Sequence, residues 1–411
     1  MYRIASFIKK SFVPYLTEIK QCQIRVNKYF SKDMFRLKVL LTQDRVGSRD
    51  KIKIGIKPLI GAKSSDISYW FNKFTKIGIY DQMFMNSRNI IHPTGKGRIL
   101  AADGSVICTR IFNKHGVGKA SLTVCALLDI KTHLFHEYAI ADDCNEHTSL
   151  VNQAKTCTID DIIIADRNYG KYSLLSQLYD NVGFLVRISK NMNIYKSFIK
   201  SSEHTRIIEH VHNGKKMRLK LIKYVISKKT RKRVKVYMSD MNQISDEDDE
   251  SVFVLCTNVL DMSEETAQQL YRDRWKIETG FRYLKSNFDV RNPMKAGNCN
   301  SITDHIKYTI GLSFVMYNIT QNIKLVRDSD NVRKCRFSGC ADQVRYMLDQ
   351  IIQNPSLLNI TEQITRMMKR LIMHKVGKPK LICNGNHDKK RGRYKSKKTI
   401  EGLNNTEVEY G

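Results

Sequence analysis

Three short stretches of this 411-residue chain bring together side chains able to do chemistry. Asp103 closes an apolar run in Ala101-Ala-Asp-Gly-Ser105, and Asp166 closes another in Ile164-Ala-Asp-Arg-Asn-Tyr169. The third stretch is Tyr271-Arg-Asp-Arg-Trp-Lys-Ile-Glu-Thr-Gly-Phe-Arg-Tyr-Leu-Lys285. On a helix turning ~100° per residue, Tyr271, Arg274, Glu278 and Lys285 fall within an arc of roughly 60°, with Trp275 and Arg282 beside them. Carboxylates suit hard divalent cations or proton transfer, and Arg and Lys suit oxyanions. Each Asp alone also reads as a cap or turn residue, and the helix alone as a surface laced with ion pairs.

The elements around these residues favour the chemical reading. Strand-like runs at Ile99–Ala102, Leu122–Leu128 and Leu134–Ile140 are followed by a helix near Glu146–Lys155 and a strand at Asp161–Ala165. A helix near Lys171–Tyr179 and a strand at Phe184–Ile188 follow. This order predicts an α/β layer around a mixed sheet. A carboxylate at the C-terminal end of a buried strand lies where such sheets build their sites. One long helix is expected over Ser263–Phe288, with Ser263 as N-cap, Glu264 and Glu265 in the first turn, and Ile277, Phe281, Leu284 and Phe288 facing the sheet.

Charge narrows the class of partner. The chain carries 70 Lys and Arg against 40 Asp and Glu, a net charge of +30. Residues 1–100 hold 20 bases and 6 acids, and 191–240 hold 14 and 3, whereas 101–190 hold 9 and 10. Basic flanks around a near-neutral centre suit a protein that grips a polyanion and works on it in the middle. No apolar run approaches the ~20 residues of a membrane span; Thr309–Thr320 is too short and polar. With no secretory signal, the expected place is inside a cell, at the nucleoid or in a nucleus, not in a membrane and not secreted. The ten cysteines form no Cys-x-x-Cys pair and read as reduced core thiols. Cys335, Cys340, Cys383 and His387 match no common zinc spacing.

Tyr271, Arg274, Glu278 and Lys285 match without a gap the signature Tyr-x2-Arg-x3-Glu-x6-Lys, and Asp103-Gly-Ser and Ala-Asp166-Arg-x-Tyr precede it in order. In these motifs the chain resembles the insertion-sequence DDE transposases over about residues 98–290. The resemblance implies an RNase H-like catalytic core, with Asp103, Asp166 and Glu278 as catalytic and metal-binding triad. Two Mg²⁺ ions are the implied cofactor, with Mn²⁺ able to substitute; the triad has no His or Cys cluster beside it to favour zinc. Tyr271, Arg274, Lys285, Arg282, Trp275 and Arg167 are the expected DNA contacts. The implied activity is cleavage of DNA at transposon ends and joining of the freed 3′-hydroxyl to target DNA, by a homodimer on DNA. A DNA-binding protein that has lost catalysis and a stand-alone nuclease are the alternatives.

The resulting expectation is an RNase H-like mixed sheet flanked by helices, interrupted by a β-rich insertion domain, with a helical N-terminal domain. Its parts are a basic, helical DNA-binding region at 1–92, the first part of the core at 93–190 and the insertion at 191–257. The second part of the core follows at 258–330, then late helices at 331–377 and a basic tail at 378–411. Strands are expected at Arg218–Ile226, Val234–Met238 and Val252–Cys256, and Asp246–Glu250 as a solvated loop. Two departures from the family stand out. Asn168 occupies a position where a small residue, often Gly, is common. Residues 191–257 contain no Trp to stack on a flipped base, leaving Tyr224, Tyr237 or Phe253 as substitutes. Glu146, in Asn-Glu-His, reads as a helix cap or as an acid supporting the metal site. His133, His136 and Glu137 read as a half-exposed strand edge, and Lys389–Lys398 as a non-specific phosphate contact.

Overall fold

The apolar runs around Asp103 and Asp166 are neighbouring strands in the middle of one sheet. The computed structural model describes residue 69 and residues 79–88, 97–113, 116–141, 145–225, 252–288, 294–295, 299–328, 333–371 and 373–375. The expectations for most of 1–92, for Val234–Met238, Tyr237 and Asp246–Glu250, and for the tail lie outside these residues.

A helix, α1 (Ile79–Ser87), precedes strands β1 (Ile99–Asn113), β2 (Gly116–Asp129) and β3 (Phe135–Ala141). Then come α2 (Glu146–Ala154), β4 (Ile162–Ala165), α3 (Tyr172–Leu178), β5 (Gly183–Arg187) and α4 (Asn193–Ile199). Strands β6 (Thr205–His212), β7 (Lys215–Val225) and β8 (Val252–Thr257) lead to α5 (Glu264–Asp273) and α6 (Trp275–Asn287). The chain continues through β9 (Met294–Lys295), α7 (Cys299–Arg327), β10 (Arg333–Cys335), α8 (Phe337–Gln353), α9 (Leu357–Arg370) and β11 (Met373–Lys375).

The main sheet runs β3-β2-β1-β4-β5-β8-β7-β6, with β9 paired to the far end of β1. β1, β2 and β3 are antiparallel, β1, β4 and β5 are parallel, and β8, β7 and β6 continue antiparallel. This is the mixed sheet expected from the order of elements in the sequence. The β-rich stretch after residue 191 supplies β6, β7 and β8, which extend that same sheet.

Side-chain alternation divides the core into two layers. Leu100, Ala102, Ile163, Ala165, Phe184 and Val186 pack on one face with α2, α3 and α4. Ala101, Ile164 and Leu185 face the other way, into a core shared with α5 to α9. Buried Asn318 on α7 accepts from Phe135 N at 3.0 Å and donates to its carbonyl at 2.9 Å, satisfying the backbone of the edge strand β3. Thr309–Thr320 falls within α7 and is buried, and no helix among the described residues is long and apolar enough to cross a membrane.

Two local expectations change. The single helix over Ser263–Phe288 is two, α5 and α6, meeting at Arg274. Its backbone N donates to both Leu270 O (3.2 Å) and Tyr271 O (3.3 Å), tightening the turn while the dihedrals stay helical (φ −50°, ψ −37°). His136, expected at a half-exposed edge, is buried against the Arg98 guanidinium. Burial and the nearby Arg98 and Arg88 charges push its imidazole down to about 3, so it is neutral.

Candidate active site

The strand pairing places the two aspartates. It aligns Ala101, Ile164 and Leu185 across β1, β4 and β5, all three in the core beneath α5 and α6. Two residues further along each strand, on the same face, come Asp103, Asp166 and Arg187. Asp103 was expected just past the end of its strand; instead β1 continues to Asn113, and it is the pairing with β4 that ends before it. Asp166 follows β4 in extended conformation and caps a 3₁₀ turn, Arg167–Tyr169, accepting from Asn168 N at 2.8 Å.

Glu278 arrives from α6, which lies on this face because its apolar side is shaped for it. Ile277, Phe281 and Leu284 are buried, and a Cβ on Gly280 would come within 2.7 Å of Leu128 Cδ1 and 3.1 Å of Phe135 Cζ. Only the absence of a side chain there allows the helix so close to the sheet. Lys276 Nζ ties the start of α6 to the Ile130 carbonyl (3.0 Å), and Lys285 Nζ ties its end to Ser105 Oγ (2.6 Å) and the Val106 carbonyl (2.9 Å). Upstream, Ser263 caps α5 as expected, accepting from Thr266 N at 3.1 Å.

The three acids feel one another's charge. The Asp103 carboxyl is pushed up to about 7, chiefly by burial; the Arg274 charge opposes the shift, and Glu278 and Asp166 add to it. Glu278 is also raised, by burial first and by Asp166, against the pull of Arg274. Arg274, buried itself, donates from Nη2 to Glu278 Oε1 at 2.9 Å, while its Nε–H is buried without an acceptor. The donor set is entirely hard oxygen, and its mutual repulsion calls for a cation, so these residues fit a divalent ion. Among the described residues no three His, Cys, Asp or Glu side chains stand close enough together to hold one ion.

Residues 94–299, half of the chain, match the family described as the transposase DDE domain. The chain belongs to this family. It is a DNA transposase, an enzyme of the nuclease and transposase class, and its family generally uses divalent metals. No curated protein sequence matches it. Among solved structures it is similar to a piggyBac transposase in a synaptic complex with hairpin DNA, seen by cryo-EM. That likeness has 12% identity and a TM-score of 0.46, over 94% of this chain and 87% of the other.

The other residues singled out in the transposase sequence take up varied positions. Trp275 is 53% exposed, with the Arg274 guanidinium 5.4 Å from its ring centroid. Arg167 and Arg282 are exposed. Tyr271, read as a phosphate or base contact, is buried, with its ring edge-on to Tyr224 at 6.1 Å and Phe253 at 6.0 Å. Tyr224 and Phe253 stack on each other at 4.9 Å and are buried too, so neither presents a free face to a flipped base. Arg187 was missed: its guanidinium lies 4.3 Å from the Phe253 ring centroid, in the row of Asp103 and Asp166. An Arg ending an apolar strand was its only signal in the sequence. Glu146 does not cap α2, a role Asn145 fills by accepting from Thr148 N at 3.1 Å.

Proposed function

We propose that Asp103, Asp166 and Glu278 are the catalytic, metal-holding residues of this transposase, which cleaves DNA at transposon ends and joins the freed 3′-hydroxyl to target DNA. What supports this reading is that Asp103 on β1, Asp166 at the β4 turn and Glu278 on α6 lie toward one face of the sheet, where burial and the charges of Glu278 and Asp166 push the Asp103 carboxyl up to about 7. Two divalent ions bound there supply Lewis-acid stabilisation of the entering and leaving oxygens, with Mg²⁺ favoured and Mn²⁺ able to replace it.

The chain's own residues do the rest. Arg274 orients Glu278 and supplies a fixed positive charge beside the scissile phosphate. Arg187 and Arg167 hold flanking phosphates, Trp275 stacks on a nearby base, and Lys285 and Arg282 bind the backbone further along α6. Both element ends are cut together by a homodimer assembled on DNA. A plasmid carrying the gene with its native flanks, incubated with Mg²⁺ or EDTA, tests the reading. Wild type should nick both element borders only with Mg²⁺, and Glu278→Gln should bind DNA without cutting. Normal cutting by Glu278→Gln would refute the site. Cuts scattered without regard to the borders would indicate a plain nuclease, and wild-type binding with no cut a protein that has lost catalysis.

A further inference from the structure

We propose that Glu146 is a positioning residue that locks the Asp166 turn to β1 beside Asp103 and so sets the spacing of the two aspartates. The inference rests on the assignment of Asp103 and Asp166 above. The cap at Asn145 places Glu146 in the first turn of α2, on the opposite face of the sheet from α6. Its Oε2 accepts from Asn168 Nδ2 at 2.9 Å and from the Tyr169 hydroxyl at 3.2 Å. Its Oε1 lies 2.1 Å from where a Cβ on Gly104 would stand, so it fills the space that glycine leaves open. One carboxylate therefore touches the residue after Asp103 and the second and third residues after Asp166.

The link to the acids is direct. Asn168 binds Glu146 through its side chain and holds Asp166 Oδ1 through its backbone N–H, at 2.8 Å. His147 Nε2 adds a second tie from α2, 2.8 Å from the Asn168 carbonyl oxygen. Tyr169 is 2% exposed, and its hydroxyl finds its acceptor in Glu146. The departure at Asn168 thereby has a physical account: a glycine would leave Glu146 without its amide donor. Groups that orient metal-binding carboxylates typically change metal affinity by ~10–100-fold when removed.

The test uses the full chain and Mn²⁺ as probe, with free Mn²⁺ measured by electron paramagnetic resonance and border nicking followed in parallel. Glu146→Ala should weaken Mn²⁺ binding about tenfold and raise the Mg²⁺ needed for half-maximal nicking by a similar factor. Glu146→Gln, which keeps an acceptor for Asn168 and Tyr169, should restore most of it. Asn168→Gly should weaken binding by itself and add little in the Glu146→Ala background, because both remove the same tie. Unchanged Mn²⁺ binding in Glu146→Ala overturns the proposal. So does a Gln variant as weak as Ala, since the charge and not the hydrogen bonds would then matter. If Glu146→Ala does not fold, Asn168→Gly decides alone, because it trims an exposed side chain. Asp103→Asn and Glu278→Gln serve as controls: if they too bind Mn²⁺ like wild type, the metal site itself is misassigned. If they lose binding and Glu146→Ala keeps it, only the positioning role fails.

Discussion

Replacing Asp103 by Asn in the metal-free protein should raise stability, by an amount that grows with pH. The folded site holds this carboxyl at about 7, against 3.8 for the free group. Between those values the folded protein keeps a proton that the unfolded chain has lost, so wild-type stability falls as pH rises through the window. At about 1.4 kcal/mol per pH unit, the full penalty approaches ~4 kcal/mol, reached near pH 7 and constant above it. Asn stays neutral and retains an oxygen for the Gly104 N–H, which Asp103 Oδ1 now accepts at 2.9 Å. Urea unfolding in EDTA, followed by circular dichroism at pH 5, 6, 7 and 8, should show the Asn variant gaining least at pH 5 and most at pH 7 and 8. Mg²⁺ should narrow the gap at high pH by stabilising wild type alone. A difference independent of pH, or a wild type more stable than Asp103→Asn at pH 8 in EDTA, would refute the crowding of acids on which the site assignment depends.

Other perturbations probe the supports of the site. Gly280→Ala should cost about 1–3 kcal/mol, because the new methyl meets Leu128 and Phe135; a denaturant midpoint equal to wild type would show that α6 does not lie so close to the sheet. Asp161, buried with the Arg98 guanidinium in an ion pair of 2.6 Å, should cost about 3–5 kcal/mol on replacement by Ala, read from the same curves. Burial alone would raise the Asp161 carboxyl, but donors from Arg98 and Thr158 bring it down to about 2. Its contribution is therefore complete above pH ~4 and lost as pH falls toward 2, a loss that Asp161→Asn should not show. Lys285→Ala should lower the slope of log DNA affinity against log salt by about one if its ammonium leaves Ser105 and Val106 for a phosphate; an unchanged slope would assign it to pinning α6 alone.

Much of this transposase is written locally. Alternating apolar runs, the Ser263 cap and the helical spacing of Ile277, Phe281 and Leu284 depend on near neighbours, so the succession of elements along the chain, helix start and buried face could be read in advance. The type and spacing of Tyr271, Arg274, Glu278 and Lys285 pointed toward a DDE transposase for the same reason, since one helix turn fixes which side chains lie together. Local spacing could not tell which of them would be covered. Tyr271 shares the helical arc of Glu278, yet β7 and β8 bring Tyr224 and Phe253 against it and take it out of solvent.

What only the tertiary structure decided is set by contacts distant in sequence. Parallel register across β1, β4 and β5 puts Asp103, Asp166 and Arg187 in one row, although the first two are 63 positions apart in sequence. The glycine at 280 shows its purpose only when Leu128 and Phe135 are seen where its side chain would be. Glu146 looked like a cap because an acid at a helix start usually is one. Its partners, Asn168, Tyr169 and the empty side of Gly104, come together only when the sheet closes. Sequence determined which residues are candidates for the chemistry, because side-chain type and local periodicity are properties of the chain; the fold determined their neighbours, because burial and register are properties of the packed sheet.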